Sequence, residues 1–418
     1  MKLFQKLLLA PTAIGLFAPI AASASEANLK DVSSYSQSDI EISQDSFKSL
    51  SSNNPLLAGG EGLNQASNND FDTDSFSSTT TLDGKAVFVF GAVDGNLDLG
   101  ETKDKTGTVT GDIDGDGTDE TVATVDEDAS NALTEKVSAA YVYQMNLNTS
   151  FTGDDNLYVR LKTSDGFENF VSKPGTYLNE AGSGGSVITV DKIWYTFPIG
   201  DKVEATVGPK IENYYMLAAS PSVYQPKVLK AFRFGGHGIA FGASTSTGLG
   251  LKYTADNGFA SSITVNSKGA QGTKGFLTDQ DTNKMNIQAA YTADNYHLSA
   301  TYTTQHGAFN AFHYFSTDAI DASTDKNGYA LRGWWRPDET GTAVPSISVG
   351  YDTVDFADNP GGYQKGNGYS IALNWNDIIQ ADDVIGVAFG QPIKGTDNVT
   401  AGKEDVDPFL WEAYYSFR

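Results

Sequence analysis

The chain has 418 residues, no cysteine and a formal net charge of -24, so it can form a large fold but holds neither a disulfide framework nor a cysteine metal site. The negative charge repels nucleic acid and argues against a polyanionic partner. Beyond the first two dozen residues no apolar run reaches the length of a transmembrane helix, and the mean hydropathy is -0.30. A membrane role would therefore have to use strands.

The first residues have the three parts of a secretory signal peptide. Two lysines precede an apolar run over residues 7–22, and small residues up to Ala24 predict the cleavage site. The alternative is a membrane anchor, but Pro11 and Pro19 interrupt the run and it is short for a span. Residues 1–24 are therefore predicted to direct export.

The exported part is predicted to consist of an arm and a sheet. Residues 25–78 are rich in Ser, Asn, Asp and Gln and show little periodicity, which predicts a mobile periplasmic arm. Over residues 79–418, apolar and polar residues alternate in runs of about ten, separated by Gly, Asp and Asn clusters. The clearest run lies between Val137 and Leu147.

These runs predict roughly fourteen strands in one antiparallel meander. A soluble β-sandwich also shows alternation, but the connections distinguish the two folds. Long and short connections alternate along the chain, as in an outer-membrane barrel with tight periplasmic turns and long outer loops. Aromatic residues near predicted strand ends fit interface girdles, as at Tyr253, Tyr291, Tyr296, Tyr351 and Trp375. We expect a transmembrane up-and-down β-barrel whose first strand starts in the periplasm.

Three stretches carry a family resemblance: residues 76–91 (FSSTTTLDGKAVFVFG), 192–208 (KIWYTFPIGDKVEATVG) and 368–392 (GYSIALNWNDIIQADDVIGVAFGQP). The last is the most specific, with NWND at a strand end followed by GVAFGQP. They resemble the carbohydrate-selective (OprB-type) porins, particularly the cyanobacterial branch, from about Phe76 to the end. The resemblance implies a barrel, and many such barrels are homotrimers. It does not carry over the sugar specificity of the family.

The chain departs from that family in two respects. Many relatives in the branch have an S-layer-homology domain after the signal peptide, whereas this arm is too short and too poor in aromatic residues for one. The family's chain also usually continues past the motif resembling residues 412–418 into further strands. We therefore expect either a closed barrel of fourteen strands or a sequence truncated from one of sixteen.

The third long connection, residues 209–247, lacks the Asp and Gly character of the other long connections. Similar porins fold their third loop into the barrel, so we expect this segment to narrow the pore. The cations predicted to line the pore or its constriction are Arg160, Lys162, Lys227, Lys230, Arg233, Arg332 and Arg336. They would set a transverse field that favours anions. The alternative is that these residues lie on a solvated loop or wetted wall without any role in selectivity.

Residues 94–128 hold twelve acidic residues and two lysines, a net charge of 2 - 12 = -10. This segment is predicted to be a solvated loop. Within it Asp112, Asp114, Asp116 and Glu120 match the opening of a calcium loop, in which alternate carboxylates converge on one ion. The twelfth position is Ala123 instead of the bidentate Glu. Calcium is thus a weak candidate, an acidic loop without metal is the alternative, and no other cofactor is indicated.

Catalysis finds little support in the sequence. His237, His297, His306 and His313 lie on predicted loops and strand ends without a cysteine partner, and no nucleophile elbow is present. We expect a passive channel for small hydrophilic solutes and ions in the bacterial outer membrane, in contact with its lipid. The alternatives are a surface-display or adhesin-like barrel whose acidic loops bind partners, and a soluble exported β-protein.

Overall fold

The computed structural model describes residues 79–93, 107–111, 120–124, 137–167, 170, 177–182, 184–242, 244–269, 272, 274–307, 309, 325–356, 363–398 and 408–417. The strands are β1 (Thr80–Gly91), β2 (Gly107–Gly111), β3 (Glu120–Thr124), β4 (Ser138–Thr149), β5 (Asn156–Asp165), β6 (Thr189–Ile199), β7 (Val203–Ile211), β8 (Ser246–Thr254), β9 (Phe259–Ser267), β10 (Asn283–Thr292), β11 (Tyr296–His306), β12 (Lys326–Trp335), β13 (Ser346–Phe356), β14 (Tyr363–Asn376), β15 (Val384–Asn398) and β16 (Leu410–Ser416). Two short 3-10 turns, Asn213–Met216 and Lys230–Gly235, lie between β7 and β8.

Fourteen of these strands form one antiparallel sheet in chain order. β1 pairs with β4, and each later strand pairs with the next one along the chain. The predicted all-β meander is thus confirmed. β2 and β3 form a separate hairpin inside the first long connection, where the sequence predicted only a loop. Among the described residues no ladder joins β1 to β16.

Short and long connections alternate as predicted along most of the sheet. The predicted alternation fails between β13 and β14, where a long connection is due, because β13 continues to Phe356 and β14 begins at Tyr363. The intervening connection is shorter than the one between β12 and β13, which covers 336–345. The inward side chains of Val354 and Phe356 pack against residues from other parts of the chain. The local sequence does not reveal these contacts.

The sheet is apolar on its outer face and polar on its inner face, the reverse of a soluble domain. Outward side chains exposed on the strands include Leu82, Phe88, Phe90, Tyr143, Val207, Leu249, Leu251, Leu298, Leu331, Val349 and Trp411. Inward side chains that are buried include Gln144, Asn146, Arg160, Thr206, Thr264, Asn266, Asn286, Gln288, Thr301, Ser348, Ser370 and Asn374. A soluble sandwich buries its apolar face, so this polarity excludes that alternative.

Aromatic rings gather at the rim that carries the short turns. Tyr253 and Phe259 flank one short turn with ring centroids 6.4 Å apart, and Tyr291 and Tyr296 flank the next with centroids 6.0 Å apart. These positions match the predicted girdle. Tyr351 does not, because it lies in the middle of β13 and pairs there with a residue of β14.

Two short turns are organised by a buried aspartate. The Asp383 carboxylate accepts hydrogen bonds from the backbone N–H groups of Ile378, Ile379 and Gln380 at 2.8–3.0 Å. Burial opposes ionisation, but these donors and the Tyr415 hydroxyl outweigh it and lower the pKa of Asp383. Asp155 is arranged in the same way in the turn between β4 and β5, where the Tyr195 hydroxyl lowers its pKa most. Both turns therefore depend on an ionised carboxylate.

Among the described helical segments, none has the length and apolar character needed to cross a membrane.

Candidate functional site

The connection between β7 and β8 runs along the inward face of the sheet. We call its residues 212–242 the interior segment. Gln288 of β10 exchanges two hydrogen bonds with the backbone of Ala219, at 3.0 and 3.1 Å. Ser348 of β13 accepts hydrogen bonds from the N–H groups of Val223 and Tyr224. Strands far apart in the sheet thus contact one short segment, which requires the sheet to curl around it.

Inward-facing glycines make room for the interior segment. A Cβ atom on Gly350 of β13 would lie 1.8 Å from the carbonyl oxygen of Gly235, and one on Gly328 of β12 would lie 2.3 Å from Ile239 Cγ2. Any larger residue would push the segment away from the wall. The strand sequence therefore helps to fix where the segment lies.

Buried charged side chains of the wall bind the backbone of the interior segment. The Arg332 side chain is 0% exposed and pairs with Asp352 at 2.7 Å. It also donates to the carbonyl oxygens of Phe234 and Gly236, at 2.8 and 2.9 Å. Arg332 was predicted to line the pore; the structure places it inward, but it lies behind the segment and holds the segment in place.

Lys284 of β10 is fully buried and donates to the carbonyl oxygens of Ile239 and Gly242. Glu412 of β16, 3% exposed, accepts hydrogen bonds from the Tyr224 hydroxyl and the Leu229 N–H, both at 2.6 Å. Lys284 holds the segment through carbonyl groups, and Glu412 holds it through hydrogen-bond donors. The segment is thus fixed along most of its length.

A second stretch, which includes Phe167, Phe170 and Leu178, covers the inward face near β1. Phe167, Phe170 and Leu178 pack against Ala140 and Val142 of β4. The stretch also contacts the interior segment directly, since residues 178 and 229 form an isolated antiparallel β-bridge. The two stretches together cover the inner wall near β1 and β4 and from β8 to β16.

Charged side chains meet where β5 and β6 face the interior segment. Arg160 Nη1 donates to the Tyr215 hydroxyl at 3.1 Å. Lys192 Nζ lies 3.3 Å from the Asp191 carboxylate and 3.7 Å from that of Glu212. Lys162 is close enough to these groups to interact with them electrostatically. Lys162 is only partly buried, so water reaches this part of the wall.

Glu212 is the point at which the cations of the wall and of the interior segment meet. Burial raises the pKa of its carboxyl group. Lys192, the Tyr214 hydroxyl, Lys230 and Arg233 together lower this pKa by more, so the net shift is downward. The Glu212 carboxylate therefore interacts electrostatically with cations of both the wall and the interior segment. We call Arg160, Lys162, Lys192, Lys230 and Arg233, with Asp191 and Glu212, the charge cluster. Its five cations and two carboxylates give +3 within a chain of -24.

The charge cluster contains four of the seven predicted pore cations: Arg160, Lys162, Lys230 and Arg233. The other three lie elsewhere. Arg332 is the anchor to Asp352, Lys227 is exposed on the interior segment, and Arg336 donates to the Asp294 carbonyl at the rim of the short turns. The sequence analysis did not select Lys192. It lies on β6, and the alternation of residues in a strand does not show that its side chain meets Glu212.

The residues of the calcium hypothesis lie outside the part of the chain that the structure describes. Asp112, Asp114 and Asp116 lie outside the described residues, as do the side chain of Glu120 and residues 1–78, so these predictions stay predictions. Within the described part of the chain, no group of three or more His, Cys, Asp or Glu side chains could hold a metal ion.

Comparisons with known proteins give distant structural similarity and none in sequence. No family model matches the chain, and no curated protein matches it. The solved structures similar to it include OprB of Pseudomonas putida, at 11% identity and a TM-score of 0.43 over 61% of this chain and 69% of that chain. The outer membrane channel DcaP of Acinetobacter baumannii aligns at 12% identity and a TM-score of 0.39, over 82% and 99%. A triple mutant of Rhodopseudomonas blastica porin aligns at 11% identity and 0.36, over 80% and 100%.

Proposed function

We propose that the chain is a bacterial outer-membrane porin, a passive diffusion channel for small hydrophilic solutes such as inorganic ions, sugars or other small nutrients. The observation that carries this proposal is the reversed polarity of the sheet, whose polar inner face holds the interior segment. An apolar outer face fits lipid, and a polar inner face fits water. A channel of this kind needs neither an energy source nor a catalytic group.

The charge cluster supports a preference of the channel for anions along this part of the inner wall. Five cations converge there although the chain as a whole is strongly negative. Fields in a narrow, partly dehydrated passage act more strongly than on an open surface. The local charge therefore has more influence on selectivity than the net charge, and small anions gain the advantage.

The experiment is conductance of the purified full-length protein in planar lipid bilayers, with reversal potentials in a salt gradient. We expect discrete channels that favour the anion. In Lys192→Gln and Arg233→Gln the anion-to-cation permeability ratio should fall about two- to tenfold, the effect of one unit charge at several ångströms in a partly screened passage. Lys202→Gln is the matched control, because Lys202 lies in a short turn and pairs with Asp256.

Two results would contradict separate parts of the proposal. A protein that stays dissolved without detergent and carries no current is not a channel. Channels whose selectivity is the same in the wild type, in the cluster variants and in the control would disprove the role of the charge cluster alone. Liposome swelling with sugars of graded size then measures the width of the passage.

A further inference from the structure

The inward side chains of β11 form a polar row that runs the length of the strand. They are His297, Ser299, Thr301, Thr303 and Gln305, and each is at most 7% exposed. At the usual rise of a β-strand the row extends for about 26 Å. This length matches the apolar band of an outer-membrane barrel, about 25 Å. The row therefore reaches from the rim of the short turns to the opposite rim.

Most of this row has buried polar atoms that no group of the described chain bonds. These atoms are His297 Nε2, Ser299 Oγ, Thr301 Oγ1 and Gln305 Oε1. Native proteins pair nearly all buried polar atoms, either with protein groups or with ordered water, because an unpaired one is costly. A run of such atoms along one strand therefore points to a ligand that lies along that strand.

The strands on both sides of β11 bond the interior segment directly. On β10, Gln288 lies in register with Thr301 and exchanges hydrogen bonds with Ala219. On β12, Arg332 lies in register with Ser299 and donates to carbonyl groups of the segment. Gln and Arg side chains are longer than those of Ser and Thr. A segment held at the ends of the long side chains therefore leaves space above the short ones of β11.

Water is the ligand that fits this space and these groups. Hydroxyl, imidazole and amide groups donate and accept hydrogen bonds, and a buried water molecule needs several such partners. The row has no carboxylate, and its register neighbours Lys284 and Arg332 are cationic, so a cation would gain no partner there. An anion would have to compete with the carbonyl oxygens that Lys284 and Arg332 already bond.

We propose that a file of bound water molecules lies along β11 under the interior segment and joins the two rims of the sheet. It is separate from the charge cluster on β5 and β6, and it passes water without ions. That the two rims face opposite sides of a membrane rests on the proposed function, whereas the file itself rests on the side chains of the row. Water thus bridges β11 to a segment that the neighbouring strands hold directly.

Thr301→Val tests whether the row is hydrated, because the two side chains have the same shape and differ in the hydroxyl group. Removing a dry, unpaired hydroxyl would leave the unfolding temperature unchanged or raise it. Removing a hydroxyl that bonds water deprives that water of a partner, so we expect the unfolding temperature in detergent to fall by about 2 to 4 °C. The matched control is Thr353→Val, because Thr353 lies between the inward residues Asp352 and Val354 of β13 and faces outward.

Cysteine accessibility tests whether the file is continuous with the solvent, and the chain offers a clean background because it has no cysteine. Folded Thr301→Cys is treated either with silver ion or with a trimethylammonium methanethiosulfonate, which has the same charge but is far larger. We expect silver to block later alkylation of the unfolded protein and the larger reagent to leave the thiol free. Ala330→Cys is the control, because Ala330 is in register with Thr301 but packs with Leu217 and Phe241. It should react with neither reagent.

Each other result overturns the proposal. An unchanged or raised unfolding temperature in Thr301→Val, or a fall no larger than that of Thr353→Val, means that no water bonds this hydroxyl. Reaction of Thr301→Cys with both reagents makes the row part of the main passage, and reaction with neither closes it to solvent. If all results are as expected but the protein carries no current in bilayers, the channel function is wrong and the file of water stands.

Discussion

Gly350→Ala should displace the interior segment without introducing any charge. The new Cβ would lie 1.8 Å from the Gly235 carbonyl oxygen, and real Cβ contacts begin near 3.0 Å, so the segment must move by about 1.2 Å. That movement stretches the hydrogen bond from Ser370 Oγ to the same carbonyl, now 2.5 Å. It also strains the two bonds from Arg332 to the neighbouring carbonyls. One or two weakened bonds, including charged ones, would cost about 2 to 5 kcal/mol.

The assay is the urea midpoint of unfolding in detergent, followed by single-channel conductance of the folded fraction. Gly333→Ala is the control, because the nearest atom to its Cβ would be the flexible end of Leu298 at 3.3 Å, and the next atoms, at 3.5 and 3.6 Å, are at ordinary van der Waals distance. We expect a lower midpoint and an altered conductance in Gly350→Ala and near wild-type behaviour in the control. If the two variants behave alike in both measurements, the contact between Gly350 and the interior segment does not determine where that segment lies.

Three further predictions follow from the buried and acidic groups. Arg332→Met should lower the free energy of unfolding by about 3 to 5 kcal/mol, because Asp352 is left buried without its partner; Arg332→Met combined with Asp352→Leu should lose less in the same urea titration. The folded state lowers the pKa of Asp383 below its ordinary 3.8, so its stabilisation should be complete above that pH and be lost as the pH falls through the lower folded value. The difference in unfolding temperature between wild type and Asp383→Asn should therefore be constant from neutral pH down to about 5 and shrink only in stronger acid. The calcium hypothesis predicts heat on calorimetric titration of the full-length protein with calcium, and none when Asp114 and Asp116 are replaced by Asn.

The alternation of apolar and polar residues was enough to predict most of the strands and their order. In β4, Tyr143 faces outward and Gln144 is buried inward, as a period of two requires. Strand ends were harder to predict, because they depend on contacts outside the strand. β13 extends to Phe356 because the buried residues around it, including Ile239 of the interior segment, give that side chain an apolar environment. No window of the local sequence contains both partners.

The sequence predicted that the third long connection turns inward, but it did not predict how the charged side chains are grouped. Cations among apolar residues marked the segment that lies along the inward face of the sheet, and Lys230 and Arg233 of that segment belong to the charge cluster. The sequence could not separate Arg332 from Arg160, since both are inward arginines on strands. Their roles differ because of what faces them: Arg332 faces backbone carbonyls, whereas Arg160 faces tyrosine hydroxyls beside other charges.

The inner wall has two parts, and they differ in what their inward side chains contact. From β8 to β16, inward polar groups are largely taken up in holding the backbone of the interior segment, as Gln288 and Ser348 show. A side chain bonded in this way has little freedom to bind a passing solute. On β5 and β6 the wall instead carries a group of charges in which Arg160 and Lys192 are buried and Lys162 and Asp191 are only partly buried. Substitutions there should change which solutes pass, whereas substitutions from β8 to β16 should first change whether the interior segment stays in place.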